Sequence, residues 1–163
     1  LKDEPALLEI GKAEVVKNFS NHGGRKVALF GLGNMMSVAE KAAQQLNAEG
    51  FDTAIINPRF TKPLDAGTTE FFGRAADVVV TLEDHVLAGG YGSSVLELFS
   101  EKQISTPVTR IGWPDQFIEH ASSVDHLREK YGLTTANVLA QVKSHFTAAG
   151  SPSNAVGHLS MLA

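Results

Sequence analysis

Short apolar runs alternate along this chain with longer stretches in which apolar residues recur every three or four positions. Lys26-Val27-Ala28-Leu29-Phe30-Gly31 and Asp77-Val78-Val79-Val80-Thr81-Leu82 are the clearest runs. Their length and apolar content predict strands covered on both faces. Thr53–Asn57 predicts a third strand and Ala13–Lys17 a short one near the start. Thr106–Gly112 predicts an outer strand, with Pro107 near its beginning. Helical spacing predicts a helix from about Met35 to Glu49, with Val38, Ala42, Ala43 and Leu46 inward and Gly50 as its stop. Further helices are expected over Ala66–Ala75, Ser93–Lys102, Ser123–Tyr131 and Ala136–Phe146. Asp65 or Thr68 is placed to cap the second helix. Strands alternating with helices imply an α/β sheet with helices on both faces. Asn21-His22-Gly23-Gly24 is a turn signal between the first two strands, with His22 a solvated loop residue. The connection from Val15 to Val27 is too short for a crossover, so one edge strand is expected to be antiparallel.

Composition narrows the function classes. The chain has 163 residues, 43% of them apolar, enough for one domain with a full core. A net charge of -4 argues against nucleic-acid binding, since there is no basic excess to neutralise phosphates. The absence of cysteine excludes a disulfide framework, a thiol nucleophile and cysteine-ligated metal, and fits a reducing compartment. No apolar run approaches the ~18 residues of a membrane span, and no signal peptide is visible. The chain starts at Leu1 rather than Met, which reads as a piece of something longer. The expected division is an entry linker over 1–12, one domain over 13–147 and a Gly-, Ser- and Pro-containing flexible tail over 148–163.

Three loops carry candidate chemistry. Asn57-Pro58-Arg59-Phe60-Thr61-Lys62-Pro63-Leu64-Asp65 follows a strand, and its two prolines stiffen the turn. Arg59 then stands near the C-terminal end of a strand, the edge where open α/β sheets bind ligands. Its planar fork suits a phosphate or carboxylate, and the alternative is a pair with a nearby Asp or Glu. Lys62 is a possible accessory cation. The second loop, Gly31-Leu32-Gly33, joins strand to helix but lacks the third glycine of a dinucleotide fingerprint, and no acidic residue closes the next strand. A tight turn is the favoured reading there. The third loop runs from Glu83-Asp84-His85 through Gly89-Gly90-Tyr91-Gly92-Ser93. Its glycines and helix start could receive an anion, but Glu83 and Asp84 would repel one, and capping and pairing is the favoured role. His85 beside two carboxylates is either a proton shuttle or a hydrogen-bonded loop residue, and no three-ligand metal spacing accompanies it. Trp113 and Phe117 either seal the sheet edge or meet a partner.

Ile10-Gly11-Lys12-Ala13, the Pro58-to-Asp65 run, Glu83 with Gly89-Gly90-Tyr91-Gly92-Ser93, Gly112-x-Pro114-Asp115-x-Phe117-Ile118 and Tyr131-Gly132-Leu133-Thr134 occur in that order. Together they resemble the C-terminal domain of the transketolase superfamily, and within it the 1-deoxy-D-xylulose 5-phosphate synthases, from about Leu8 to Phe146. The resemblance implies a three-layer α/β/α domain with a five-stranded mixed sheet and one antiparallel edge strand. It implies a homodimeric transferase of the bacterial cytoplasm, or of a plastid, that condenses pyruvate with D-glyceraldehyde 3-phosphate and releases CO₂ for isoprenoid synthesis. Thiamine diphosphate and Mg²⁺ would be bound mainly by domains absent from this chain. In such enzymes the arginine of the Arg-Phe-x-Lys-Pro-Leu-Asp motif binds the acceptor's phosphate, and it maps to Arg59. No residue is carried over as catalytic; Glu83 would sit at a strand end near the dimer interior, and His85 and His120 receive no role. The rival expectations are the same domain of transketolase or of a 2-oxoacid dehydrogenase β-subunit, a non-catalytic interaction module, and a nucleotide site at Gly31-x-Gly33.

Overall fold

Val27 and Leu29 face one side of strand β2 (Lys26–Gly31), while Ala28 and Phe30 face the other, and all four are fully buried. A strand that is apolar on both faces must be covered twice, and this alternation produces the three layers. The computed structural model describes residues 7–20, 23–120 and 122–148. Asn21, His22, the start of the entry linker and residues 149–163 of the expected tail lie outside them.

Five strands form one sheet in the order β1-β3-β2-β4-β5, with β1 Glu14–Lys17, β3 Asp52–Asn57, β4 Val78–Val86 and β5 Val108–Trp113. β2, β3, β4 and β5 are parallel, and β1 runs antiparallel on the edge of β3. The α/β class and the antiparallel edge agree with the sequence expectation. The partner of β1 is β3 rather than the next strand in sequence, because both edges of β2 are already taken.

Helices α1 (Met36–Ala48) and α5 (Thr135–Ala148) cover one face. There Ala39, Ala42, Ala43, Leu46, Val138 and Val142 meet Val27, Leu29, Val78, Val80 and Leu82. Helices α2 (Ala66–Ala75) and α3 (Tyr91–Glu101) cover the other, bringing Phe72, Tyr91, Val95 and Phe99 onto Ala28, Phe30, Ile56 and Val79. A short helix α4 (Val124–Tyr131) buries no residue and ends at Gly132, whose left-handed φ of 78° closes it as expected from sequence.

The end of β4 and the start of α3 differ from expectation for reasons the structure shows. β4 runs on through Glu83, Asp84 and His85 to Val86, past the predicted end at Leu82. Its pairing with β5 shifts register between Leu82 and Val86, so the strand continues through an irregularity that the polar triplet disguises. Helix α3 begins at Tyr91, two residues before the predicted Ser93, because a buried carboxylate receives its first N–H groups.

Candidate functional site

The chain passes from β2 to β3 on one side and then returns to β4 on the other. The crevice outside the carboxyl ends of β2 and β4 is therefore the switch point of the sheet, where ligands gather in open α/β folds. A cleft of about 570 Å³ lies there, lined by Leu32, Gly33 and Asn34 after β2, Thr61 after β3, Glu83, Asp84 and His85 of β4, and Gly89, Gly90 and Tyr91. The structure thus brings Glu83 and His85 together with the Gly-x-Gly turn.

Glu83 forms the floor. Its side chain is fully buried, and Oε2 accepts from the Tyr91 N–H at 2.6 Å while Oε1 accepts from the Gly92 N–H at 2.9 Å. These are the donors an anion at the start of α3 would need. The chain's own carboxylate already takes them, so the capping reading of Glu83 holds and the glycine loop is no phosphate cradle. Gly90 makes the contact possible: a Cβ there would lie 2.2 Å from Glu83 Oε2 and 2.5 Å from the Val86 carbonyl. Tyr91 is buried beside this group; burial first, then the Glu83 and Asp65 charges, push its hydroxyl well above the usual phenol range.

Asp84 forms the rim. Trp113 Nε1 donates to its Oδ1 at 2.7 Å, and Asn34 Nδ2 and Arg128 donate to Oδ2 at 2.6 and 2.5 Å. Burial works to raise this carboxyl, but the bonds from Asn34, Arg128 and Trp113 outweigh it and hold it below the usual carboxylate range. One side chain therefore ties the turn after β2, the end of β5 and helix α4 together. His85 is exposed, with Nδ1 3.1 Å from the Val86 carbonyl oxygen. Trp113 seals the sheet edge, edge-on to Tyr131, whereas Phe117 is fully exposed. His120 is exposed as well.

Arg59 stands at the same end of the sheet, beyond β3, but its guanidinium turns toward the edge strand. Its backbone is left-handed, φ 59°, a conformation uncommon for a side-chain-bearing residue. Asn57 supports it, its Oδ1 accepting from the Arg59 N–H at 3.1 Å. The guanidinium pairs with Glu14 of β1 at 2.8 Å, the two side chains being 27% and 39% exposed. Lys62 is exposed. Of the two candidate caps of α2, Asp65 does the work: it accepts from the Thr68 N–H and hydroxyl and from the Ala13 N–H, all at 3.0 Å. Burial works to raise this carboxyl too, and the Thr68 and Ala13 bonds prevail and lower it.

Sequence reading missed Glu14 as the partner of Arg59 and the Asn34–Asp84–Arg128 junction. Both join residues distant in sequence that carry no motif of their own. The Gly-x-Gly turn is a packing device: a Cβ at Gly31 would lie 2.9 Å from Met36 Sδ, and the Leu32 N–H donates to the Leu82 carbonyl at 2.8 Å.

Comparison with known proteins agrees with this geometry. The family model described as "Transketolase, C-terminal domain" matches residues 11–138. The 1-deoxy-D-xylulose-5-phosphate synthase of Methylacidiphilum infernorum is 51% identical over 141 residues, 86% of this chain and 21% of that protein. That of Acidobacterium capsulatum is 42% identical over 147 residues, 90% of this chain and 22% of that protein. A solved structure titled "Split gene transketolase, inactive beta4 tetramer" superposes with a TM-score of 0.75 at 36% identity, covering 86% of this chain and 44% of that one. The chain spans about a fifth of the length of these curated relatives. With its sheet order, its antiparallel edge and a family match over most of its length, the chain belongs to the transketolase C-terminal domain family.

Proposed function

We propose that this chain is the C-terminal part of a thiamine diphosphate-dependent 1-deoxy-D-xylulose-5-phosphate synthase. The whole enzyme would condense pyruvate with D-glyceraldehyde 3-phosphate, releasing CO₂, and would work as a cytoplasmic homodimer. The carbon–carbon chemistry is the cofactor's. The described residues do not fit its diphosphate and Mg²⁺: no group of three or more His, Asp or Glu among them could hold a metal, and the α3 N–H groups belong to Glu83. That site is therefore assigned to parts of the enzyme outside this chain, and the 163 residues alone should turn over no substrate even with thiamine diphosphate and Mg²⁺ added. Turnover by the fragment would overturn this assignment.

The contribution of this chain is Arg59. The observation that supports it is a guanidinium held on a braced left-handed turn at the ligand edge of the sheet and paired, among the described residues, with a partly exposed carboxylate. Such a pair contributes about 0–1 kcal/mol, so a phosphodianion can replace the carboxylate at little cost. Phosphate bound by the forked cation then orients the aldehyde for attack. In the full-length enzyme, Arg59→Ala should raise the KM for glyceraldehyde 3-phosphate about ten-fold or more and leave the KM for pyruvate nearly unchanged. Equal effects on both substrates, or none, would remove Arg59 from the phosphate site. The 2.8 Å pair with Glu14 favours a second reading, in which Arg59 pins β1 to β3. On that reading Arg59→Ala lowers stability without distinguishing the substrates.

A further inference from the structure

We infer that a pocket beside β5 binds a small phosphate monoester, with Arg110 holding the phosphate. The pocket measures about 380 Å³ and shares no lining residue with the switch-point cleft. Leu87, Ile111, Pro114 and Tyr131 give it apolar wall, Arg110 and Lys130 give it charge, and none of its lining residues is acidic. β5 is the last strand of the sheet, so one of its edges has no strand partner. In the register with β4, Arg110 lies opposite Thr81, and its stem rests against the start of α3, where a Cβ at Gly92 would lie 2.8 Å from Arg110 Cδ. The half-buried side chain spends Nη1 on the Leu87 carbonyl and the Ser93 hydroxyl, both at 3.1 Å. Ser93 is itself fixed: its hydroxyl donates to the same carbonyl at 2.8 Å and accepts from the Gly89 N–H at 3.1 Å. The fork is thus held in place, while its Nε and Nη2 edge has no acceptor among the described residues. Arg59, Arg74 and Arg128 each pair with a carboxylate, whereas Arg110 pairs with none among the described residues. Glu83 is committed instead to the Tyr91 and Gly92 N–H groups. A cation drawn partly out of water without a counter-charge is unfavourable, and the open edge of a guanidinium suits two phosphate oxygens. Lys130 adds a second positive charge, shared with Glu119, which favours a dianion over a carboxylate. The apolar wall favours an ester with a short carbon chain over inorganic phosphate.

Hydrogen exchange read segment by segment in the full-length enzyme, with thiamine diphosphate and Mg²⁺ added to fill the cofactor site, tests this. The probes are butyl phosphate, inorganic phosphate and butyrate at matched ionic strength. Butyl phosphate should slow exchange around residues 110–114 and 130–132 by a factor that grows as one plus its concentration over its Kd. Inorganic phosphate should need about ten-fold more for the same protection, and butyrate should give none. Arg110→Gln should raise the butyl phosphate Kd about ten-fold or more. Arg59→Ala should leave it unchanged, so this site stands or falls apart from the proposed role of Arg59. No protection of these segments in the wild-type enzyme would overturn the inference, whether or not the variant folds, and would leave Arg110 as a tie between β5 and the loop before α3. Protection by butyrate at the same concentration would overturn the phosphate assignment. Segments already protected without a probe, and released by Arg110→Gln, would mean that a carboxylate elsewhere in the enzyme fills the pocket, which overturns it too.

Discussion

β3 and β4 deliver charge to the same edge of the sheet, and they hold it in opposite ways. At the end of β4, Glu83 is sealed from solvent and its two oxygens are committed to the Tyr91 and Gly92 N–H groups. At the end of β3, Arg59 is partly exposed and its partner Glu14 is exposed further. The glycine-rich loop has the composition of an anion site, yet its donors are filled from within. The proline-flanked turn has no such loop, yet it carries a cation whose counter-charge is partly exposed. Burial of the counter-charge, rather than the motif, separates a structural ion contact from one open to a ligand.

This contrast can be broken at several points. The largest effect is expected for Glu83→Ala, which strands two buried N–H groups and empties a buried site. It should cost about 3 kcal/mol or more in urea denaturation, and a loss under 1 kcal/mol would show that α3 does not depend on the carboxylate. Gly90→Ala follows, since its Cβ would meet Glu83 Oε2 at 2.2 Å. A cost of about 1–3 kcal/mol is expected, only part of it relieved in a Glu83→Ala background, because the Val86 carbonyl would still lie 2.5 Å from the new Cβ. Next come Asp65 and Asp84, both held below the ordinary aspartate value of about 3.9. The unfolded chain protonates these groups first, so their contribution is complete above that value and is lost as pH falls through the lower folded values. Acid titration of stability should show this loss below about pH 4, and Asp84→Asn should shrink it. The smallest effect is expected for Arg59→Ala on stability, within about 1 kcal/mol. A loss approaching that of Glu83→Ala would make the two strand ends alike and favour the structural reading of Arg59.

Local chemistry was legible in the sequence where neighbours along the chain decide it. β2, β3 and α1 follow from apolar runs, helical spacing and the bounding glycines, and the cap of α2 is narrowed to Asp65 or Thr68, of which the structure selects Asp65. The end of β4 was not legible, because Glu83, Asp84 and His85 look like a loop and only the shifted pairing with β5 keeps them in the strand. The left-handed backbone of Arg59 had no signal either, since arginine does not favour it and the bracing Asn57 reads as an ordinary strand residue. Glu14 and Arg128 needed the tertiary structure: one lies on an antiparallel edge whose partner strand the turn signal did not reveal, the other on a helix with no buried residue.

Helix ends normally fray, and their first amides exchange with solvent long before the rest of the domain opens. The Tyr91 and Gly92 amides cannot do so while they are bonded to a carboxylate carried on a central strand. In native-state hydrogen exchange the start of α3 should protect with β4, not with the surrounding loops, so strand and helix would open as one cooperative unit.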